Sequence, residues 1–208
     1  MKTTQVIALR HGQTVWNLEG KRQGQMDSPL TEAGLSQTEK IAERLATQTL
    51  HAVYSSDLGR AHQTAMCISE KTGHRILIEP RLRERSFGIF EGFTNAEIKK
   101  KLSKEWLLYR SGGPDYVIPN GESATGFFQR CITCLEELAQ NHPGERIIVV
   151  THFGVLNCLF RHVLGIPLEA PLKFKVLEGS LNFLQFRSGR WILEPPGDVN
   201  HGLRDQAL

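Results

Sequence analysis

Four stretches of this 208-residue chain place reactive side chains at the ends of apolar runs. In "QVIALRHGQTVWN" the run Val6 to Leu9 passes without a turn into Arg10, His11 and Gly12. In "HAVYSSDLGRA" a short β-prone run is followed by Asp57 and Arg60. "RILIEP" leads into "RLRERSFG", which contains Glu84, and "RIIVVT" runs into His152. Two arginines can grip a dianion with planar, paired donors. One imidazole, neutral, can attack phosphorus; a second, protonated, can stabilise charge; a carboxylic acid can protonate a leaving oxygen. Together these groups would perform phosphoryl transfer through a covalent phosphohistidine, with cationic side chains supplying the positive charge that Mg²⁺ supplies elsewhere.

Singly, each residue has an ordinary reading. A histidine at a strand end is commonly a hydrogen-bonded structural residue, and Glu84 between Arg83 and Arg85 could be a surface ion-pair partner of little energetic worth. Their meaning depends on whether the chain brings them together.

The elements that would do so are legible as alternating periods. "TQVIALR" is a strand. "TEAGLSQTEKIAERLATQ" is a helix with Thr31 as N-cap and Leu35, Thr38, Ile41, Ala42 and Leu45 on one face. "HAVYSS" is a strand, and "DLGRAHQTAMCISEKTG" a helix closed by Gly73. "RILIEP" is a strand stopped by Pro80. The segment at about 93–120 holds one basic helix followed by Gly112, Gly113, Pro114 and Pro119, and reads as a lid or insertion within a single domain, 1–208. "GESATGFFQRCITCLEELAQNHPG" is a long helix, "RIIVVTH" a buried parallel-type strand and "GVLNCLFRHVLG" a helix. "SLNFLQFRSGRWILEPP" gives two strands around a Ser-Gly turn. Strand–helix alternation predicts an α/β fold with a mostly parallel sheet, helices on both faces and an antiparallel edge. In such sheets ligands bind beyond the carboxyl ends of the strands, where all four reactive stretches fall.

Bulk composition is that of an ordinary globular protein, 40% hydrophobic and 23% charged. A net charge of +3 with scattered Lys and Arg suits an anionic small molecule and gives no reason to expect nucleic acid. The N-terminal residues enter a strand rather than a secretory apolar region, and no apolar run approaches membrane-spanning length, so the expectation is a cytoplasmic protein without a membrane partner. Cys131 and Cys134 form "CITC" inside a helical pattern with no second pair to complete a metal site; with Cys67 and Cys158 they read as reduced core thiols.

At this point the residues resemble a known family. "LRHGQTVWN", "GQMDSPLTEAG", "VYSSDLGRAHQTA", "LRERSFGIFEG", "PNGES" and "VVTHFGVL" are similar, in order and spacing, to the motifs of the histidine phosphatase superfamily, branch 1, the phosphoglycerate mutase-like branch. The resemblance covers nearly the whole chain. It implies a three-layer α/β/α sandwich, His11 as the phosphorylated nucleophile, and Arg10, Arg60 and His152 as a phosphate clamp. It further implies Glu84 as proton donor, Asn17 as a further phosphate contact, and Gln23 and Gly24 in a substrate-touching loop. No metal and no cofactor is implied. If Glu84 starts protonated, activity favours mildly acidic pH. One departure is "HFGV": Phe153 stands where the family commonly has glycine, which would narrow the pocket or redirect a backbone N–H and so bears on substrate more than on chemistry.

The mutases resembled are longer and carry extra basic residues, including adjacent arginines, in the inserted segment. This chain has Lys99, Lys100, Lys101, Lys104 and a single Arg110 there. The lysines on one helix read as a solvated face. "PNGES" and the tail "GRWILEPPGDVNHG" look more like the phosphatase group. The expectation is therefore a metal-independent phosphatase acting on a small phosphorylated metabolite, as a monomer or homodimer. Phosphoglycerate mutase is the alternative, and a non-catalytic phospho-ligand binding protein the third reading. Sugar phosphates, phosphoserine, nucleotides and ribazole phosphate all remain open as substrates.

Overall fold

In the computed structural model, which describes residues 2–171 and 174–194, the alternating periods become one six-stranded sheet. The strands are β1 (Thr4–Arg10), β2 (Ala52–Ser55), β3 (Ile76–Ile78), β4 (Arg146–Thr151), β5 (Leu181–Arg187) and β6 (Arg190–Leu193), in the order β3-β2-β4-β1-β5-β6. β3, β2, β4 and β1 run parallel; β5 pairs antiparallel with β1, and β6 with β5. The helices are α1 (Val15–Leu18), α2 (Glu32–Ala46), α3 (Gly59–Thr72), α4 (Asn95–Lys101), α5 (Ser103–Ser111), α6 (Ala124–Gln140) and α7 (Phe153–Leu164).

The central strands are apolar throughout because both faces are covered. Val6, Ala8, Ile147 and Val149 point into a core shared with α6 and α7. Ile7, Leu9, Ile148 and Val150 point the other way, into a core shared with α2 and α3. Each fully buried Ile, Leu or Val there contributes about 1.5–3 kcal/mol of transfer free energy. The result is the expected three-layer α/β/α sandwich. "CITC" belongs to the first core, with Cys131 and Cys134 on α6 and Cys158 on α7 as free thiols. No helix among the described residues is long and apolar enough to cross a membrane.

Local signals set the boundaries. Thr31 Oγ1 accepts from Gly34 N (2.9 Å) to cap α2, and Gly73 ends α3 at φ 75°. The buried stripe of α2 begins at Gly34 rather than Leu35, which is only partly buried. Gly34 is needed there because a Cβ would lie 2.2 Å from Gln13 O, in the loop that follows His11.

One expectation is corrected and one element is added. Residues 93–120 hold two helices, not one: Leu102 leaves the helical region (φ −129°, ψ 48°) between α4 and α5. Its side chain packs against a small separate core of Phe90, Ile98 and Ile118, flanked by Phe87, Trp106 and Tyr109. The turn of α1 escaped the sequence reading because it is four residues long and set by a capping box between Thr14 and Asn17 rather than by apolar periodicity. The tail from residue 195 onward lies outside the described residues.

Candidate active site

β1 and β4 are neighbours in register, Arg10 opposite Thr151, so the residues that follow, His11 and His152, emerge side by side. The His11 amide donates to Thr151 O (3.0 Å), and the two ring centroids are 5.3 Å apart. Both imidazoles are buried.

His11 Nδ1 lies 2.7 Å from Gly12 O. A carbonyl can only accept, so Nδ1 carries the hydrogen and Nε2 keeps its lone pair. Burial, and next the Arg60 charge, push the His11 pKa well below 6.5, against the opposing pull of the Gly12 hydrogen bond. The ring is therefore neutral at physiological pH. Gly12 is wedged between helices: its N–H donates to Thr64 Oγ1 (3.1 Å), and a Cβ would sit 2.7 Å from Thr38 Oγ1.

His152 Nε2 is 2.9 Å from Ser56 Oγ, and its Nδ1 is buried without a partner among the described residues. Burial first, then Arg60, His11 and Arg10, hold its pKa well below 6.5. In the protein alone this second imidazole therefore favours its neutral form, burial and the neighbouring cations both opposing a proton on it.

The two arginines are held from outside. Arg60, in the first turn of α3, donates through Nη1 to Met26 O (2.8 Å) and Asp27 Oδ1 (3.0 Å), and through Nη2 to Gly24 O (2.7 Å). Arg10 donates through Nη1 to Val176 O (2.5 Å) and pairs through Nη2 with Glu178 (2.7 Å). The Nε atoms of both are buried and unpartnered among the described residues. With His152 Nδ1 they make three buried polar nitrogens without partners among the described residues, on side chains whose charges act on one another, an arrangement that favours an anion. Burial lowers both guanidinium pKa values, and Glu84 opposes that in each case.

Glu84 stands beside this cluster. Its Oε1 accepts from Arg85 N (2.7 Å) and its Oε2 from Gly154 N (2.9 Å) in the first turn of α7. Gly154 leaves the carboxyl its space: a Cβ there would lie 2.0 Å from Oε1. Phe153, the unusual residue of "HFGV", turns its ring to the Arg10 guanidinium, 5.4 Å from the ring centroid. Its effect is to cover one side of Arg10.

The loop residues divide. The Gly24 carbonyl holds Arg60, and two constraints demand glycine: φ is +55°, and a Cβ would lie 2.1 Å from Glu91 Oε1. Gln23 is buried, with Oε1 unpartnered among the described residues. Asn17 spends its side-chain oxygen on the α1 cap, accepting from Thr14 N (3.0 Å) and Thr14 Oγ1 (2.8 Å), so only its amide nitrogen remains to donate. Asp57 is ion-paired with Arg83 (Nε to Oδ1, 2.7 Å), which holds its pKa below the usual carboxylate range; it is not free for chemistry.

Sequence reasoning missed Ser56, Asp27, Glu178 and Glu91. Glu91 has the most contacts. Its Oε1 accepts from Gln25 N (3.1 Å) and Phe87 N (2.7 Å), and its Oε2 from Met26 N (3.0 Å). One carboxylate thereby ties the loop that grips Arg60 to the segment that follows Glu84. The lysines flagged at positions 99, 100, 101 and 104 are all exposed. Among the described residues no group of three His, Cys, Asp or Glu side chains is arranged to hold a metal ion.

The chain is similar to known proteins along most of its length. It is 38% identical over 203 residues to the metal-independent phosphoserine phosphatase of Arabidopsis thaliana, covering 96% of this chain and 84% of that one. It is 38% identical over 201 residues to phosphoglycerate mutase-like protein 4 of the same plant, covering 95% and 86%. Among solved structures, Bacillus stearothermophilus YhfR superposes with a TM-score of 0.85 at 32% identity, covering 95% of this chain and 98% of that one. A model of the histidine phosphatase superfamily (branch 1) matches residues 6–198, and with these relatives it shows that the chain belongs to that family.

Proposed function

We propose that this protein is a metal-independent phosphomonoesterase that transfers the phosphoryl group of a small phosphorylated metabolite to His11 and then to water. The observation that carries the reading is the His11 Nδ1–Gly12 O contact of 2.7 Å, which leaves a lone pair on Nε2 inside a cluster of cations. The Arabidopsis relative named a phosphoserine phosphatase supports hydrolysis.

In the first step His11 Nε2 forms a bond to phosphorus as the ester P–O bond breaks, and Glu84 in its acid form gives its proton to the leaving oxygen. Arg10, Arg60 and His152 stabilise the charge on the non-bridging oxygens. A bound dianion also reverses the electrostatics that keep His152 neutral, and so favours its imidazolium. In the second step water attacks phosphorus, Glu84 takes the proton, the P–N bond breaks, and inorganic phosphate leaves with His11 neutral again. Residues 93–120 act as a lid-like insertion of a single catalytic domain, and four reduced thiols suit a cytoplasmic location.

The test is a panel of phosphomonoesters assayed with a chelator present, together with acid-quench trapping of ³²P on the protein. Phosphate release with labelling at His11, both lost in His11→Ala, supports the reading. Interconversion of 3- and 2-phosphoglycerate without net release makes the protein a mutase, and turnover by His11→Ala overturns the phosphohistidine.

A further inference from the structure

Beside Glu84 lies a second cationic group that the phosphoryl chemistry leaves unused. The Arg22 guanidinium is 4.7 Å from the Phe87 ring centroid and 5.1 Å from that of Tyr109. The Arg85 guanidinium is 5.5 Å and 5.9 Å from the same two rings. Two like charges therefore share one aromatic platform. Arg85 is pushed below the ordinary arginine value by burial foremost, with the charge of Arg22 adding to the effect. Holding them together costs free energy unless an anion compensates.

Among the described residues no carboxylate pairs directly with either guanidinium, although the Glu122 charge offsets part of the burial cost at Arg85. Among the described residues Arg10, Arg60, Arg81, Arg83 and Arg130 each form a salt bridge, whereas Arg22 and Arg85 form none. Their bonds are to neutral groups: Arg22 to Asn95 Oδ1 (2.9 Å) and Tyr109 OH (3.4 Å), and Arg85 to Glu122 O (3.1 and 2.9 Å). The Glu122 carboxylate, the nearest candidate, is taken by Arg130 and by Ser86 N. Arg22 Nη2 and Arg85 Nη1 keep hydrogens with no partner among the described residues.

Position supplies the meaning. The Arg85 amide holds the Glu84 carboxyl, and Arg22 directly precedes the buried Gln23. The group that protonates the leaving oxygen must stand next to the leaving alcohol, so side chains flanking Glu84 meet the rest of that alcohol. We infer that Arg22 and Arg85, braced on Phe87 and Tyr109, form a subsite for a second anionic group, a carboxylate or a further phosphate, carried on the leaving part of the substrate. The preferred substrate is then a phosphomonoester with a negatively charged tail. This rests on the phosphatase reading above.

The test compares kcat/KM for O-phosphoserine, a bisphosphate (fructose 1,6-bisphosphate) and phosphoethanolamine, which lacks the anionic tail, in the wild type and in Arg22→Gln, Arg85→Gln and Arg85→Lys. The wild type should favour an anionic tail by about tenfold or more, the scale of one charge-assisted hydrogen bond. Each Gln variant should lower that preference by about tenfold, through KM, while Arg85→Lys keeps part of it. Whichever anionic substrate shows the larger preference identifies the tail as carboxylate or phosphate. A wild type indifferent to tail charge, or Gln variants that slow charged and uncharged substrates equally, overturns the subsite. p-Nitrophenyl phosphate hydrolysis by the same preparations reports the phosphatase reading separately. Circular dichroism melts identify any variant that fails to fold, and the wild-type preference decides the matter in that case.

Discussion

Gly154→Ala presses chiefly on the Glu84 carboxyl, with a lesser contact 3.0 Å from Phe127 Cε1. The added methyl would lie 2.0 Å from Glu84 Oε1 and 3.0 Å from the carboxyl carbon, so Oε1 is about 1.4 Å short of ordinary van der Waals contact. The carboxyl must retreat by roughly that distance, and its hydrogen bond from Gly154 N (2.9 Å) is lost or stretched. A misplacement of about 1 Å costs on the order of 100-fold in rate, and complete loss of a general acid about 100- to 10,000-fold. The expected outcome for an alkyl phosphomonoester is a kcat lower by about 100-fold. For p-nitrophenyl phosphate, whose phenolate leaves with little help, the fall should be under about tenfold. Stability should not follow activity, because alanine is favoured over glycine inside a helix by up to about 1 kcal/mol. A melting midpoint within about 4 °C of wild type, measured beside steady-state kinetics on both esters, separates the two effects. Alkyl ester turnover within about threefold of wild type would refute the assignment of Glu84, as would equal losses on both esters.

Other expectations follow from the same contacts. His11 and His152 are neutral when folded, with pKa values held below 6.5, so below that pH the unfolded chain binds more protons than the native one. Stability should therefore be level above about pH 6.5 on their account and fall as the pH drops, by up to about 1.4 kcal/mol per pH unit per imidazole. Urea midpoints at pH 7 and 5.5 that differ no more in wild type than in a His11→Gln, His152→Gln double variant would contradict this. Glu91→Gln turns an amide toward backbone N–H groups that need acceptors, a defect of about 1–3 kcal/mol. Because Glu91 braces the loop holding Arg60, inhibition by vanadate should weaken by about tenfold, and an unchanged inhibition constant would show that the brace does not serve the clamp.

Much of this was readable before any coordinates. The unbroken apolar runs of β1 and β4 announce strands covered on both faces, and the residues after them fall where a parallel sheet binds ligands. Thr31 and Gly73 mark helix ends by capping chemistry that needs no tertiary context. What stayed hidden depends on loops meeting across the sheet edge. Nothing in the neighbourhood of Glu91 announces that its donors lie at Gln25 and Met26, more than sixty residues away. Nothing around Arg22 indicates Phe87 and Tyr109. The break at Leu102 has no proline or glycine to signal it and comes from packing into the small third core. The neutrality of His152 comes first from its burial and then from the cations gathered around it, which no single stretch contains.

That third core has an evolutionary consequence. Phe90, Ile98 and Ile118 share no member with the two cores that sandwich the sheet, yet the aromatic rings around them brace Arg22 and Arg85. If Arg22 and Arg85 meet the leaving alcohol as inferred above, substitutions in this nucleus would retune which alcohol is admitted while leaving the histidines and their strands undisturbed. A fold so divided can diversify its repertoire of metabolites by trading one small module and inheriting its reaction intact.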